Sequence, residues 1–363
     1  MTTESRGHIR WFRNTAPYIN AHRDKTFVLM LGGDVAQHQN FANIIHDIAL
    51  LNSLGIRLVL VHGARPQIED RLKRAGITSE FHEGVRITDN ASIEHVRDAA
   101  GALRAQFEAL LSMGLPNSPM QGSSIRVCSG NFVTAKPMGI VNGIDYHLTG
   151  QVRGIDVDGV RTQLDAGSIV LLSPLGYSPT GEIFNLSLAD VAVQCAAAIG
   201  ADKLLLFGEQ AGVRDSDNNL VRQCTVGEIA SLEVTEPAEA TLLATAQQAC
   251  LAGVPRCQII SFSDDCALLE ELFTHDGSGT LVANDDYEQY GTRFALQYFF
   301  FVLHRRQIHR INTAVGHEVA LSRKKNARDI FAIELMRMNT SQNFDLLHLK
   351  VSPDSSSYNT YKN

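Results

Sequence analysis

The pattern of hydrophobic and polar positions predicts an alternation of buried strands and helices. Runs of consecutive apolar residues are typical of strands buried on both faces, and apolar residues every three or four positions are typical of the helices that cover them. The predicted strands are Phe27–Leu31, Ile56–Gly63, Ser168–Gly176, Asp202–Val213 and Cys257–Ser263, with a hairpin or meander pair over Ser124–Lys136. The predicted helices are Ala42–Leu54, Ala64–Gly76, Asn90–Met113, Ser187–Ala201, Glu239–Ala252 and Cys266–Phe273. This order predicts an α/β fold with a mainly parallel sheet covered on both faces.

The residues before the first strand form a partly helical apolar stripe that includes Ile9, Phe12 and Ile19. Pro17 lies within it and would cap or kink a helix. We therefore predict an N-terminal helical segment over residues 1–24, followed by a domain over residues 25–289.

Glycine-containing turns follow the predicted parallel strands, at the edge where such sheets bind ligands. The first turn, Gly32–Gly33, joins a buried strand to a helix and presents backbone N–H groups to an anion. Phosphoryl transfer also needs a cation beside the transferring oxygens, but the position two residues before the glycines is Met30. A sensor or partner domain is therefore the first interpretation, ahead of a kinase.

Charge changes sign along the chain. The net charge is −7, with 21 basic and 34 acidic residues up to residue 289 and 11 and 5 beyond it. The modest net charge argues against non-specific nucleic-acid binding. Residues 290–363 are expected to form a divergent basic tail that is poorly ordered.

Cysteine spacing and the N-terminal sequence favour a cytoplasmic protein without a metal site. The six cysteines form no CxxC pair and no zinc-type spacing, so they are interpreted as reduced core residues. The N-terminus has no apolar signal region, and the best apolar run, Phe294–Leu303, is about half of a membrane span.

Six motifs in order resemble the amino-acid kinase family, and within it the N-acetylglutamate kinases and synthases. They are Met30–Asp34, Val61–Ile68, Phe81–Asp89, Pro174–Ser187, Gly200–Val213 and Leu268–Thr280. The resemblance covers about residues 8–289 and implies a three-layer sandwich preceded by an N-terminal helix.

Departures from the kinase pattern favour the synthase. Met30 and the region of Leu242 replace its two phosphate-binding lysines, and Ala189 replaces its aspartate. The resemblance to synthases implies acetyl transfer from acetyl-CoA to L-glutamate in arginine biosynthesis. It also implies a kinase-like domain that binds L-arginine instead of phosphorylating.

The resemblance implies two groups of site residues. The L-arginine site would comprise Tyr18, Gln258, Glu271 and Gly277, with Gln258 standing where the pattern has a histidine. A vestigial kinase-type pocket would comprise Gly32, Gly33, Gly63, Arg65, Arg86 and Asn185. For this second group the favoured alternative is structural, with glycine turns that allow strand–helix packing and Arg86 paired with Asp89 or a neighbouring loop.

The resemblance stops after Gln289, where a synthase would continue into an acetyltransferase domain. Gly291 and Gly316 are the only glycines in the sequence after Gln289, and neither opens an acetyl-CoA motif. We therefore assign no catalytic residue and no cofactor site. The hypothesis is a frame-shifted or truncated replacement of that domain, and the alternative is a basic tail that docks a partner. An N-acetylglutamate kinase and a non-catalytic assembly subunit, joined as a homo-oligomer through the N-terminal segment, also stay open.

Overall fold

The computed structural model describes residues 3–113 and 120–284, so the predicted tail over residues 290–363 lies outside the described residues. The helices are α1 (Thr3–His22), α2 (Phe41–Ser53), α3 (Arg65–Arg74), α4 (Ser92–Leu111), α5 (Val157–Asp165), α6 (Leu188–Ile199), α7 (Pro237–Leu251) and α8 (Ala267–Phe273). The strands as far as the middle of the chain are β1 (Thr26–Leu31), β2 (Arg57–His62), β3 (Glu80–His82), β4 (Val85–Ile87), β5 (Val127–Cys128), β6 (Val133–Pro137), β7 (Ile140–Val141), β8 (Ile144–Asp145) and β9 (Gly150–Ile155). The remaining strands are β10 (Ile169–Leu172), β11 (Leu175–Tyr177), β12 (Ile183–Asn185), β13 (Lys203–Gly208), β14 (Val213–Arg214), β15 (Leu220–Val221), β16 (Gln223–Thr225), β17 (Arg256–Ser261) and β18 (Thr280–Ala283).

The largest sheet of the described residues has eight strands in the order β16-β18-β17-β13-β1-β2-β10-β5. All neighbouring pairs in it are parallel except β17 and β18, which are antiparallel. The central strands are apolar and buried along almost their whole length. The mainly parallel sheet expected from the sequence is therefore confirmed.

Helices cover both faces of this sheet and give three layers. On one face, Val160 of α5, Val191 of α6 and Leu243 of α7 belong to a core cluster with alternate strand residues. The opposite face forms a second cluster, to which α2, α4 and α8 contribute Phe41, Phe107 and Leu268 among others. The period-two alternation of the strands divides their side chains between the two clusters.

Two strand predictions were wrong because neighbouring segments enter different sheets. The predicted pair over Ser124–Lys136 is not a hairpin, since β5 joins the large sheet beside β10 while β6 pairs with β9 and β11 in a four-stranded sheet. The predicted single strand Ser168–Gly176 is interrupted between β10 and β11. Pro174 lies at this break, and proline has no N–H with which to continue a ladder.

The N-terminal helix expected from the sequence is present as α1, and Pro17 lies inside it without ending it. The helix ends at His22, and Asp24 then takes a positive φ of 62° that turns the chain into β1. Asp202 fixes this entry, because its carboxylate accepts the Thr26 N–H at 2.9 Å and the Lys25 ammonium at 3.0 Å.

Glycine at position 33 is required by packing. A Cβ there would lie 2.3 Å from Gln67 Oε1 and 2.9 Å from Pro66 Cδ. We expect Gly33→Ala to lower the free energy of unfolding by about 1–3 kcal/mol in urea denaturation, because the turn must shift to admit a methyl group. The control is Gly101→Ala in α4, where a Cβ meets nothing within 4 Å, and which should raise stability by about 0.5–1 kcal/mol. Equal effects of the two substitutions would contradict this account.

Candidate functional site: a polar region beneath helix α8

The kinase-type turns come together at the carboxyl edge of the large sheet. A Cβ on Gly63 would lie 3.2 Å from the Gly33 nitrogen and 3.4 Å from the Gly32 Cα, so the two turns after β1 and β2 are in contact. The Gly33 carbonyl accepts a hydrogen bond from Gln67 Nε2 at 2.6 Å. This carbonyl therefore already has a hydrogen-bond partner within the protein.

The groups that would act on a phosphate are absent from the expected positions. Met30 is buried in the core cluster on the α6 side of the sheet, and Leu242 packs against the same cluster. Asp190, the carboxylate nearest to the kinase position held by Ala189, accepts a hydrogen bond from the Val152 N–H at 2.9 Å. Its role is to join α6 to β9.

Arg86 is buried and forms an ion pair with Glu69, while its Nη1 donates to Ser79 Oγ at 2.8 Å. It therefore pairs with α3 and the following loop, not with Asp89, which accepts the Ser92 N–H at 2.7 Å at the start of α4. The guanidinium groups of Arg65 and Arg86 lie 4.8 Å and 4.7 Å from the centre of the Phe81 ring.

Several buried polar groups near this edge are satisfied internally, although Gln67 Oε1 is buried and has no hydrogen-bond partner among the described residues. Asn185 Nδ2 donates to Thr88 Oγ1 at 2.9 Å, and Thr149 Oγ1 lies 3.0 Å from the same hydroxyl. Burial lowers the pKa of His62 to about 4, so the ring is neutral. Its Nδ1–H donates to the Gly63 carbonyl at 3.3 Å, which leaves Nε2 to accept from Ser173 Oγ at 2.8 Å. These contacts support the structural interpretation of the kinase-type residues.

A second polar region lies between α8 and the sheet, and Glu271 is its centre. The half-buried Glu271 carboxylate accepts hydrogen bonds from Gln258 Nε2 at 2.9 Å, from the Ser278 N–H at 2.8 Å and from the Gly279 N–H at 3.0 Å. Gly277 has a φ of +66°, and a Cβ there would lie 2.6 Å from Glu271 Oε2. Glycine is required at this position because the loop closes tightly around the carboxylate.

Lys203 is a site residue that the sequence analysis missed. It begins β13, is buried, and lies on the same face of the sheet as Gln258, since Leu205 pairs with Gln258 in register and Lys203 is two residues before it. Burial lowers the pKa of Lys203 to about 8, and the positive charge of Arg256 adds to this effect while Glu271 opposes it. A lysine directly before a fully apolar strand was the available signal, because a buried ammonium needs a partner.

The end of α1 closes one side of this region. Tyr18 is half-buried and packs against the core cluster on the α8 face. His22 is buried between the Phe27 and Phe273 rings, and its Nε2–H donates to the Leu272 carbonyl at 2.8 Å. Burial, aided by the charge of Lys203, lowers the pKa of His22 to about 3, so the ring is neutral. Tyr18, Gln258, Glu271 and Gly277 thus belong to neighbouring elements around α8.

In the part of the chain that the structure describes, no cluster of three or more His, Cys, Asp or Glu side chains could hold a metal ion. Nor does any helix within residues 3–113 and 120–284 combine the length and apolar character needed to cross a membrane. Of the six cysteines, four are buried, Cys128 is half-buried and Cys266 is exposed.

The three-layer fold with a mainly parallel sheet and glycine turns at its carboxyl edge defines a protein of the amino-acid kinase class. The model of the amino acid kinase family matches residues 25–261, and the chain belongs to this family.

Among its relatives, an amino-acid acetyltransferase of Pseudomonas fluorescens is 56% identical over 284 residues, which cover 77% of this chain and 66% of that protein. Two solved structures of the N-acetylglutamate synthase from Neisseria gonorrhoeae are 36% identical and cover 76% of this chain. One, with coenzyme A and L-arginine, has a TM-score of 0.72 and is covered to 65%. The other, with coenzyme A and N-acetyl-glutamate, has a TM-score of 0.71 and is covered to 63%. The chain spans less than two thirds of the length of each of these relatives.

The neutral, buried His22 makes stability depend on pH. The pKa of His22 is about 3 in the folded chain, below its ordinary value of 6.5. Between these pH values the unfolded chain therefore binds a proton that the folded chain does not bind. Stability is therefore lost as the pH falls below 6.5, by up to about 1.4 kcal/mol per pH unit from this group. His22→Gln keeps an N–H donor for Leu272 and should flatten the curve of unfolding free energy between about pH 6.5 and 5. Parallel curves for the two proteins would contradict a neutral His22.

Proposed function

We propose that the described part of the chain is the L-arginine-sensing domain of an N-acetylglutamate synthase-type protein of arginine biosynthesis. The observation that carries this proposal is the polar region beneath α8, where a buried cation, Lys203, lies on the same sheet face as Gln258, which bonds to Glu271. A zwitterionic amino acid offers the complementary groups, a carboxylate for Lys203 and N–H donors for the acceptors.

L-arginine is complementary to the polar groups beneath α8, and it is also a ligand in one of the related structures. Its two cationic groups, the α-ammonium and the guanidinium, provide many N–H donors for Glu271 and Gln258. The crystallised Neisseria gonorrhoeae synthase is described as a complex with L-arginine. The backbone carbonyl of Gly277, which accepts from Arg222 Nη1 at 3.1 Å, lies on the loop that surrounds the Glu271 carboxylate.

Acetyl transfer from acetyl-CoA to L-glutamate enters the proposal through the relatives alone. The Pseudomonas fluorescens relative is named an amino-acid acetyltransferase, and the Neisseria gonorrhoeae structures contain coenzyme A. We assign no residue of the described part to this reaction. An assay of this chain with acetyl-CoA and L-glutamate, with and without L-arginine, tests it directly.

The N-acetylglutamate kinase alternative is disfavoured by the apolar side chains at both phosphate-lysine positions. Met30 and Leu242 pack with the core cluster on the α6 side, where they cannot neutralise a transferring phosphoryl group. Phosphate transfer from ATP to N-acetylglutamate by the purified protein would restore this alternative and contradict the proposal of a domain that senses L-arginine without phosphorylating.

Glu271 should be needed for L-arginine binding. We expect Glu271→Gln to weaken binding by about tenfold or more in isothermal titration, because a charge-assisted hydrogen bond becomes a neutral one. The matched control is Glu270→Gln, an exposed neighbour on the same helix, which should bind as the unmodified protein does. Absence of heat with millimolar L-arginine on the unmodified protein, or equal affinities for the two variants, would refute the proposal that L-arginine binds in the polar region beneath α8.

We propose further that α1 joins protomers into a homo-oligomer. Phe12 supports this proposal, because its side chain is 64% exposed on α1, whose contact with α8 includes His22 at the end of the helix. Phe12→Ser should reduce the mass measured by light scattering, since an apolar contact between helices would be lost. Arg13→Ser, at an exposed neighbour, is the control. A monomeric mass of the unmodified protein, or an unchanged oligomeric mass of Phe12→Ser, would count against this role.

A further inference from the structure

The peptide group between Gly277 and Ser278 is held at both ends by side chains of opposite charge. The peptide bond is trans, so its C=O and its N–H point in opposite directions. The Ser278 N–H donates to Glu271 Oε2 at 2.8 Å. The Gly277 carbonyl therefore points away from this carboxylate, and it accepts a hydrogen bond from Arg222 Nη1 at 3.1 Å. One rigid peptide group thus connects the site carboxylate to an exposed arginine.

Arg222 comes from a different part of the sheet, where its backbone is fixed. It lies between β15 and β16, and its own carbonyl accepts the Leu281 N–H of β18 at 3.0 Å. The preceding carbonyl, that of Val221, accepts a hydrogen bond from Thr280 Oγ1 at 2.6 Å. Because these partners follow Gly277 closely in the chain, the Arg222 guanidinium is held within reach of the glycine loop.

Gly277 is also the place where this loop can rearrange. Its φ is +66°, and glycine tolerates the other backbone conformations that a rotated peptide group needs. Rotation would withdraw the Ser278 N–H and turn the Gly277 carbonyl towards the Glu271 carboxylate, so that two acceptors would face each other. The bond from Arg222 opposes this rotation, because it breaks when the carbonyl turns inward.

We propose that Arg222 is a positioning residue of the site beneath α8. By holding the Gly277 carbonyl on the outer side of the loop, it keeps the Ser278 N–H on Glu271 and fixes the carboxylate that receives the ligand. This inference rests on the proposed function. Hydrogen bonds at the two ends of a peptide group polarise it and strengthen each other, and the charges of Arg222 and Glu271 both act in this direction. The guanidinium thus acts through the peptide group and not by contact with the ligand.

Isothermal titration of the full chain with L-arginine tests the effect on binding. Arg222→Met removes the donor with little change of length, and we expect it to weaken binding about three- to fivefold, as for an exposed charged contact. Arg222→Lys retains a donor and should recover most of the affinity. The matched control is Arg214→Met, which should bind normally. Arg214 Nη1 also donates to a backbone carbonyl at 3.1 Å, but to that of Asn218 in the β14–β15 connection.

A double-mutant cycle with Glu271→Gln separates positioning from a general loss of packing. If Arg222 acts through Glu271, the double variant should bind L-arginine no more weakly than Glu271→Gln alone. The same cycle in urea without ligand should show coupling between the two positions in the free energy of unfolding. Amide hydrogen exchange at Ser278 should be faster in Arg222→Met than in Arg214→Met, because the peptide group is then held at one end only.

The outcomes separate this inference from the proposed function. Unchanged L-arginine affinity of Arg222→Met, an equal loss in Arg214→Met, or additive effects of Arg222→Met and Glu271→Gln would overturn the positioning role while leaving the L-arginine site in place. Failure of the unmodified protein to bind L-arginine would overturn the proposed function and this inference with it.

Discussion

Burial of the central strands on both faces is the constraint on which the rest of the structure depends. β2, β1, β13 and β17 have almost no side chain in contact with water, so their backbones pair with each other and their side chains fill two cores. Polar chemistry is then possible at two kinds of place only, the ends of these strands and a gap beneath a covering helix. The carboxyl edge of the sheet is an example of the first kind, and the polar region under α8 is an example of the second.

The two places differ in the charge that they bury, while each contains one buried glutamine oxygen, of Gln67 or Gln258, without a hydrogen-bond partner among the described residues. At the carboxyl edge, Arg86 pairs with Glu69, Asn185 donates to Thr88, and His62 is neutral and bonded on both ring nitrogens. Under α8, by contrast, Lys203 is a buried cation whose Nζ lies 5.4 Å from the centre of the Phe27 ring. A preformed ligand site typically contains a few polar or charged groups that can still bond to a ligand.

Helix α8 is short and is fixed from two sides. His22 of α1 donates to the carbonyl of Leu272, and the adjacent Glu271 holds the loop that follows the helix. This helix of seven residues thus contacts the N-terminal helix and carries the carboxylate that holds the glycine loop. The low pKa of His22 and the lowered pKa of Lys203 have the same main cause, which is burial of both groups.

The sequence by itself determined the fold class, the order of strands and helices and the loss of the phosphate cation, because these follow from local periodicity and from single residues such as Met30. It could not determine which sheet a strand joins, and the Ser124–Lys136 and Ser168–Gly176 predictions failed for this reason, since strand pairing is a long-range contact. The resemblance indicated Gln258, Glu271 and Gly277, but not that Gly277 makes room for the Glu271 carboxylate or that Lys203 lies on the same sheet face as Gln258. Only the tertiary structure decided these points, because it brings β13, β17, α8 and α1 together from distant parts of the chain and buries their polar groups in one place.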